Sequence, residues 1–538
     1  MQKRGAILLS SSNRKPNIAT RFRKIGQQSF WTQQPRVFSI RCYRSFTIMH
    51  GNPFVKRAHE HLFTTSTNSK YTALRNFHSS KSVSMDASSK KGAIAVIGAG
   101  PAGLAAARYF TAEDSPFDCQ VFEQGDDLGG TWRLSEFVDT DDKGRKVHSS
   151  MYKNLRTNLP KEIMCYPDFP FPTYPESYVP SEKVLKYLLD FASHYQLRKI
   201  IKFNRSVVQV RPFKKNDDDT VNWEIKTRDY LTDEEFTDYF EGVAVCNGHH
   251  SEPVIPEIEG KQEFDGFIMH SHAYRESCPF KGQRVLVVGA GPSGLDIALE
   301  VSKVALRVSL SHHLKSSQIN FKGKSVQQVT DILRLAPGKR VEFVDGTKDE
   351  FDAIIYCTGY KNSFPFLHED CKITTDGFGV EPLYKHMINI EHPTMCLTGL
   401  VTFVCPFQLL DLQARFFYSL MSGKFQCADK REMYRELKAD QHWRRNKGRC
   451  AFGHLFLNNN IFSCHSHAHT GYGPRQAHKL GALQQEYYDE LAKIAHIKSI
   501  DVVVSKLGLE STKRIYSDLC SFREAKFKLL DDKNYLEL

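Results

Sequence analysis

The sequence predicts an α/β chain made of two dinucleotide-binding units, the second inserted into the first, with a helical region toward the C-terminal side. Three observations predict it. The glycine loop Gly98-Ala99-Gly100-Pro101-Ala102-Gly103 follows an apolar run and precedes a helix-compatible one; Gly289-Ala290-Gly291-Pro292-Ser293-Gly294 has the same flanks; and an acid, Glu123, closes the second apolar run, 25 residues after Gly98. One such loop alone is weak, because three glycines recur by chance. Between a strand and a helix it has a mechanism: the glycines let backbone approach a pyrophosphate, the helix amides face it, and the acid meets a ribose hydroxyl. Both copies therefore read as Rossmann-like.

Taken in order, the first 90 residues hold 16 Lys and Arg against two acids, Glu60 and Asp86. The totals of 73 basic and 61 acidic residues leave 57 against 59 in the remainder, so the net charge of +12 does not imply a basic groove in the folded body. No nucleic-acid partner is expected. The leader, residues 1–91, is rich in Arg and Ser and has no apolar stretch beyond Ala6–Leu9, which is transit-peptide chemistry and predicts mitochondrial import. The alternative is a start at Met85, a cytoplasmic protein and a leader that is optional or disordered. At 538 residues the chain exceeds one ordinary core.

Gly92–Ile97 is continuously apolar, as suits a strand buried on both faces; Leu104–Phe110 reads as the first helix and Cys119–Phe122 as the next strand. The turn Asp126-Asp-Leu-Gly129-Gly130-Thr131-Trp132 follows without a cysteine pair behind it, which excludes a disulfide-exchanging flavoenzyme. Met151–Phe171 is a proline-rich aromatic loop, and Pro180-Ser181 opens an amphipathic helix with Ser181 as its N-cap. Arg205 to Val245 alternates like antiparallel strands, broken by a solvated run from Lys214 to Asp219, and Gly242–Gly248 is a buried strand.

Residues 250–355 form the inserted unit, between residues 92–249 and 356–500 of the first. The strand before Cys357-Thr358-Gly359-Tyr360 matches the one before Cys246, so the two are expected to mark where the chain leaves and re-enters one large sheet. Thr394–Leu410 is apolar but interrupted by Pro406 and Gln408, hence core rather than a membrane span; residues 501–538 form a charged extension without a hydrophobic tail. The 13 cysteines are dispersed with no C-x-x-C, which fits a reducing compartment. Cys464, His465, His467 and His469 are of zinc-ligand type but lack a second ligand pair, so they read as a polar surface segment and no metal is expected.

Several motifs together carry a more specific resemblance: the two loops, Gly129-Gly-Thr-Trp132, Thr157-Asn158-x-Pro160-Lys-Glu, Phe264-x-Gly266-x-x-x-His270-x-x-x-Tyr274, Cys357-Thr-Gly-Tyr360 and Asp411-Leu-Gln413-Ala-Arg415. With them the chain resembles the flavin-containing monooxygenases, most closely the invertebrate branch, from about residue 92 to 415 and more weakly to 488. The resemblance implies FAD on Gly98, Ala99, Gly100, Pro101, Ala102 and Gly103, with Glu123 on its ribose and Thr131, Trp132 and Asn158 beside it. It implies NADPH on Gly289, Gly291, Ser293, Gly294 and Asp296, and Gly130, Thr157, Leu159, Tyr274, Leu295, Ser311, Thr358, Gly359 and Gln413 complete the cofactor-binding set.

In the family, NADPH reduces the flavin, O2 adds as a C4a-hydroperoxide, and a soft nitrogen or sulfur takes the distal oxygen; the cofactor carries the difficult chemistry. Asn158 is the implied catalytic residue, because a neutral amide donates and accepts without titrating. Family members that oxidise ketones have Trp where Tyr274 stands, which favours small lipophilic amines or thioethers as substrates. His270, His272, Tyr274 and Arg275 read as a hinge and cofactor clamp. Many relatives have a Thr-Arg pair where this chain has Ser311-His312-His313, so recognition of the 2′-phosphate is expected to fall on Ser311, Lys315 or Arg275. A ketone monooxygenase, an NADPH oxidase and a redox sensor without turnover are the alternatives. A homo-oligomer is compatible with all of them, and no transmembrane anchor is expected.

Overall fold

Strand β1 (Gly92–Ile97) faces two cores at once, which is why its sequence is apolar throughout. Ile94 and Val96 pack into one cluster; Ala95 and Ile97 pack into another on the opposite side of the sheet. The computed structural model describes residues 92–214, 221–313, 319–321, 323, 326–457 and 477–538. The leader, the polar run after Lys214, Lys315 and the Cys464–His469 segment lie outside them.

Helix α1 (Pro101–Phe110) returns the chain to β2 (Phe117–Phe122), which pairs with β1 in parallel. The aromatic loop holds one short helix, α2 (Lys161–Met164), and leads to α3 (Ser181–His194). No side chain caps α3: Ser181 stands inside the first turn, its backbone N–H donates to Leu155 O, and Pro180 occupies the cap position expected for it. After β3 (Ile201–Lys202), the antiparallel strands β4 (Arg205–Lys214), β5 (Val221–Asp229) and β6 (Glu235–Phe240) form a separate sheet. Trp223 on β5 is buried under the main sheet and donates its indole N–H to Thr394 Oγ1 at 3.0 Å. Strand β7 (Gly242–Val245) is not antiparallel like these; it joins β1 in parallel.

The second unit is entered through β8 (Glu252–Pro253) and β9 (Phe267–His270). Strand β10 (Arg284–Val288), helix α4 (Pro292–Val301) and β11 (Arg307–Ser311) repeat the β1-α1-β2 motif. Next come β12 (Val326–Val329), the antiparallel β13 (Ile332–Ala336), β14 (Arg340–Phe343) and β15 (Lys348–Glu350), and then β16 (Ala353–Tyr356). The parallel order β12-β11-β10-β16-β9 corrects the expectation for the strand before Cys357. That strand stays in the second sheet, beside β10, as β7 lies beside β1. The two look alike because each is a fully buried strand paired in parallel with the first strand of its own βαβ unit.

The chain returns through β17 (Tyr360–Lys361), which pairs with β8, and the hairpin of β18 (Thr374–Thr375) and β19 (Val380–Glu381). Strands β20 (Leu383–Tyr384), β21 (Ile388–Asn389) and β22 (Met395–Leu397) then complete the first sheet in the order β20-β21-β22-β7-β1-β2-β3. Helices α5 (Pro406–Met421), α6 (Lys430–Leu457), α7 (Gln484–Ala495) and α8 (Val502–Ser517) make the helical region, and the hairpin β23 (Phe527–Leu529)–β24 (Tyr535–Glu537) ends the chain. The final stretch is charged, yet it buries Leu507, Phe522 and Phe527. Among the described residues no helix is long and apolar enough to cross a membrane.

Helix α5 covers α1, and Phe110 is the fully buried knob between them, in edge contact with Phe117, Phe417 and Tyr418. Truncating it leaves a cavity that three ring edges cannot collapse into. Phe110→Ala is expected to cost about 3–5 kcal/mol in denaturant unfolding followed by circular dichroism, and a loss below about 1 kcal/mol would contradict this packing.

Candidate functional site: two glycine loops and the seam between them

The two loops have the same backbone. Gly98 N–H donates to Phe122 O at 2.8 Å and Gly289 N–H donates to Ser311 O at 2.9 Å, each fastening the loop to the neighbouring strand end. A Cβ on Gly103 would lie 1.8 Å from Gly98 O, and one on Gly294 would lie 1.8 Å from Gly289 O. Only glycine lets each helix press so closely on its turn. Pro101 and Pro292 open the helices at positions that need no N–H, and the next amides of each first turn have no carbonyl partner within the helix. Each loop is thus an anion site with backbone donors and a favourable helix dipole.

At the first loop Glu123 is nearly buried and uses both oxygens: Ala99 N–H donates to Oε2 and Gly125 N–H donates to Oε1, each at 2.7 Å. Burial raises its pKa while these two amides oppose the shift. The Gly129–Gly130 turn is tied on by Gly129 N–H donating to Ala99 O; Thr131 O accepts from Ser149 Oγ, and Trp132 stands edge-on to Phe407. Thr157 is buried and bonded twice to Val179, through its own N–H to the carbonyl and through Oγ1, which accepts from Val179 N–H at 3.1 Å. Next to it Asn158 is exposed and Leu159 packs half-buried against the core. Gln413 is fully buried as a brace, accepting from Gly399 N–H and donating to Tyr487 Oη. Thr358 donates to Val254 O, and Gly359 has φ +84°.

At the second loop Ser293 is exposed and Leu295 buried. The carboxylate of Asp296 is held within the protein: Arg523 Nη1 donates to Oδ1 at 2.6 Å and Tyr152 Oη donates to Oδ2 at 2.5 Å. One helical turn on, Glu300 accepts from Asn154 Nδ2 at 2.8 Å. Tyr152, Asn154 and Arg523 carry no motif, and their partners lie 144, 146 and 227 residues away, so sequence reading had no signal for them. Tyr274 is buried at the same seam, stacked on Phe280 and edge-on to Tyr152.

Two of the residues expected to recognise a 2′-phosphate are committed elsewhere. Ser311 is buried and donates to Thr330 O. Arg275 spends all five N–H donors on carbonyls: Nε on Ser135, Nη1 on His272 and Tyr274, Nη2 on Phe137 and Ser149. It is a clamp on the loop after Trp132, not a free cation. His270 Nδ1 accepts from His272 N–H, and His272 Nε2 lies 3.1 Å from Val147 O. Burial lowers both, His270 to about 4, so the pair is neutral near pH 7 and the hinge reading fits better than an acid or base.

A protein-family model described as flavin-binding monooxygenase-like matches residues 90–326 and 325–453. The chain belongs to that family. This flavin monooxygenase is 32% identical to senecionine N-oxygenase of Tyria jacobaeae over 450 residues, covering 82% of this chain and 91% of the relative. It is 34% identical over 364 residues to flavin-containing monooxygenase FMO GS-OX-like 2 of Arabidopsis thaliana, covering 64% of this chain and 77% of that one. Among solved structures it resembles S-allyl-L-cysteine S-oxygenase from Allium sativum, with a TM-score of 0.68 and 28% identity over 80% of this chain and 95% of that one.

FAD and NADPH are the typical cofactors of the family, and the loops of this flavin monooxygenase fit two dinucleotides. Both helix N-termini offer amides, and a Cβ placed on Gly291 would meet no protein atom within 4 Å. The protein itself therefore tolerates alanine there, and a bound pyrophosphate would not. Gly291→Ala is expected to keep its thermal midpoint and flavin content while NADP+ binding, followed by quenching of flavin fluorescence, weakens at least about tenfold, the scale of one lost hydrogen bond to a charged group. Unchanged NADP+ affinity would contradict the assignment of this loop.

Proposed function

We propose that this enzyme uses NADPH and O2 to oxygenate soft nitrogen or sulfur in small lipophilic amines or thioethers. One oxygen atom enters the substrate, the other leaves as water, and NADPH supplies two electrons. The observation that carries the reading is the likeness to an N-oxygenase across 91% of that relative's length, joined to two dinucleotide loops in one chain. Similarity to an S-oxygenase structure supports the same class of nucleophile.

On this reading Gly98–Gly103, Glu123 and the Gly130–Trp132 turn hold FAD, and Gly289–Gly294 hold NADPH. The bound flavin, once reduced, supplies an activated oxygen atom from O2. The protein's task is to place dipoles and withhold stray protons, because an early proton releases H2O2. The Asn158 amide suits that task, as it hydrogen-bonds without titrating. In the connector, His270 and His272 are held neutral by burial, and Arg275 is enclosed by carbonyls. Tyr274 rather than Trp in the connector supports heteroatom over ketone oxidation.

The test is turnover of amines, thioethers and ketones under labelled O2. Label in an N- or S-oxide is the expected result. Label in an ester from a ketone would favour the ketone monooxygenase reading, peroxide alone an oxidase, and retained FAD without turnover a sensor. Asn158→Ala should bind FAD normally and release at least about tenfold more H2O2 per NADPH, one hydrogen bond's worth of transition-state stabilisation. Unchanged coupling in that variant would remove Asn158 from the chemistry.

A further inference from the structure

The segment after α8 crosses from one unit to the other and is tied to both. Phe522 is buried with its ring edge-on to Tyr178, and Phe527 N–H donates to Ser177 Oγ, both on the approach to α3 in the first unit. Cys520 Sγ donates to Phe321 O in the second unit. Between these attachments stands Arg523, with only 17% of its side chain exposed.

Its guanidinium joins three groups. Nη1 donates to Asp296 Oδ1 at 2.6 Å, Nε to Thr157 O at 3.0 Å and Nη2 to Arg156 O at 3.2 Å. Asp296 belongs to the first turns of α4, the helix whose N-terminus is the second glycine loop. Arg156 and Thr157 contribute the two carbonyls immediately before Asn158, and Val179 grips Thr157 from the other direction. A guanidinium is a rigid planar fork, so binding all three at once fixes their relative placement, which a flexible ammonium cannot do.

We infer that Arg523 is a positioning residue that couples the second dinucleotide loop to the Asn158 backbone. One arm steadies α4 for the nicotinamide dinucleotide; the other two hold the peptide units that aim the Asn158 amide. The C-terminal extension thereby enters the site without supplying a group to the reacting atoms. This inference rests on the proposed role of Asn158.

The test uses the full-length, flavin-loaded enzyme with Arg523→Ala, Arg523→Lys and Asp296→Asn. Arg523→Ala should raise the KM for NADPH about tenfold, the scale of one lost charged hydrogen bond, and increase H2O2 released per NADPH several-fold. Arg523→Lys keeps a cation for Asp296 but cannot span both carbonyls, so it should recover the KM and not the coupling. Asp296→Asn should do the reverse, raising the KM with coupling retained. In cofactor-free protein, amide hydrogen exchange should accelerate at residues 152–160 in Arg523→Ala and Arg523→Lys. A merely structural staple would lower the thermal midpoint and leave this split absent; wild-type KM and coupling in Arg523→Ala would overturn the inference. Should that variant fail to fold, the opposite behaviour of Arg523→Lys and Asp296→Asn still decides it, and equal effects in the two would overturn it. Should the wild type oxygenate nothing, the proposed function fails instead, and hydrogen exchange alone judges the clamp: unchanged exchange at 152–160 overturns it.

Discussion

The structure depends on how closely a helix can approach the end of the strand before it. At Gly103 and again at Gly294 the first turn of a helix lies against the carbonyl of the loop's opening glycine, with no room for a single methyl group. That contact places unpaired amides at the mouth of each loop and points each helix dipole outward. The parallel strands on either side follow from it, because a tight right-handed βαβ crossover puts the next strand beside the first. Two such units meet along α4, at a seam where Tyr152, Asn154 and Arg523 reach the carboxylates of that helix.

Charge at that seam is balanced within the protein. Asp296 is shared by Tyr152 and Arg523, Glu300 is met by Asn154, and Arg275 is surrounded by five carbonyl oxygens. Burial lowers the pKa of the histidines of the connector and raises that of Tyr152. Ionisable groups are abundant there, yet they are engaged or neutral.

Much of this was legible in the sequence, because it is local. The glycine loops and the apolar strands are written in adjacent residues with fixed spacing, and the structure forms them as expected. Pairing across long separations was not legible. The strand ending at Tyr356 resembles the one ending at Val245 so closely that the sequence suggested one sheet, and only register assigns each to its own unit. Asp296 read as a ligand for a cofactor because it follows the second loop; its ion pair with Arg523 spans 227 residues and leaves no local trace. The charged C-terminal stretch looked like an appendage for the same reason: its buried Phe522 and Phe527 are too few to stand out among charged neighbours. Arg275 was named as a phosphate ligand from its charge, and three of the five carbonyls that occupy it, those of Ser135, Phe137 and Ser149, lie 126 to 140 residues earlier.

The most direct measurement is a crystal structure of the enzyme with FAD and NADP+ bound. The flavin pyrophosphate is expected at the N-terminus of α1 and the nicotinamide pyrophosphate at the N-terminus of α4, with the Asn158 amide within hydrogen-bonding distance of the flavin ring. Exchanged dinucleotides, or an Asn158 side chain turned away from the flavin, would contradict it.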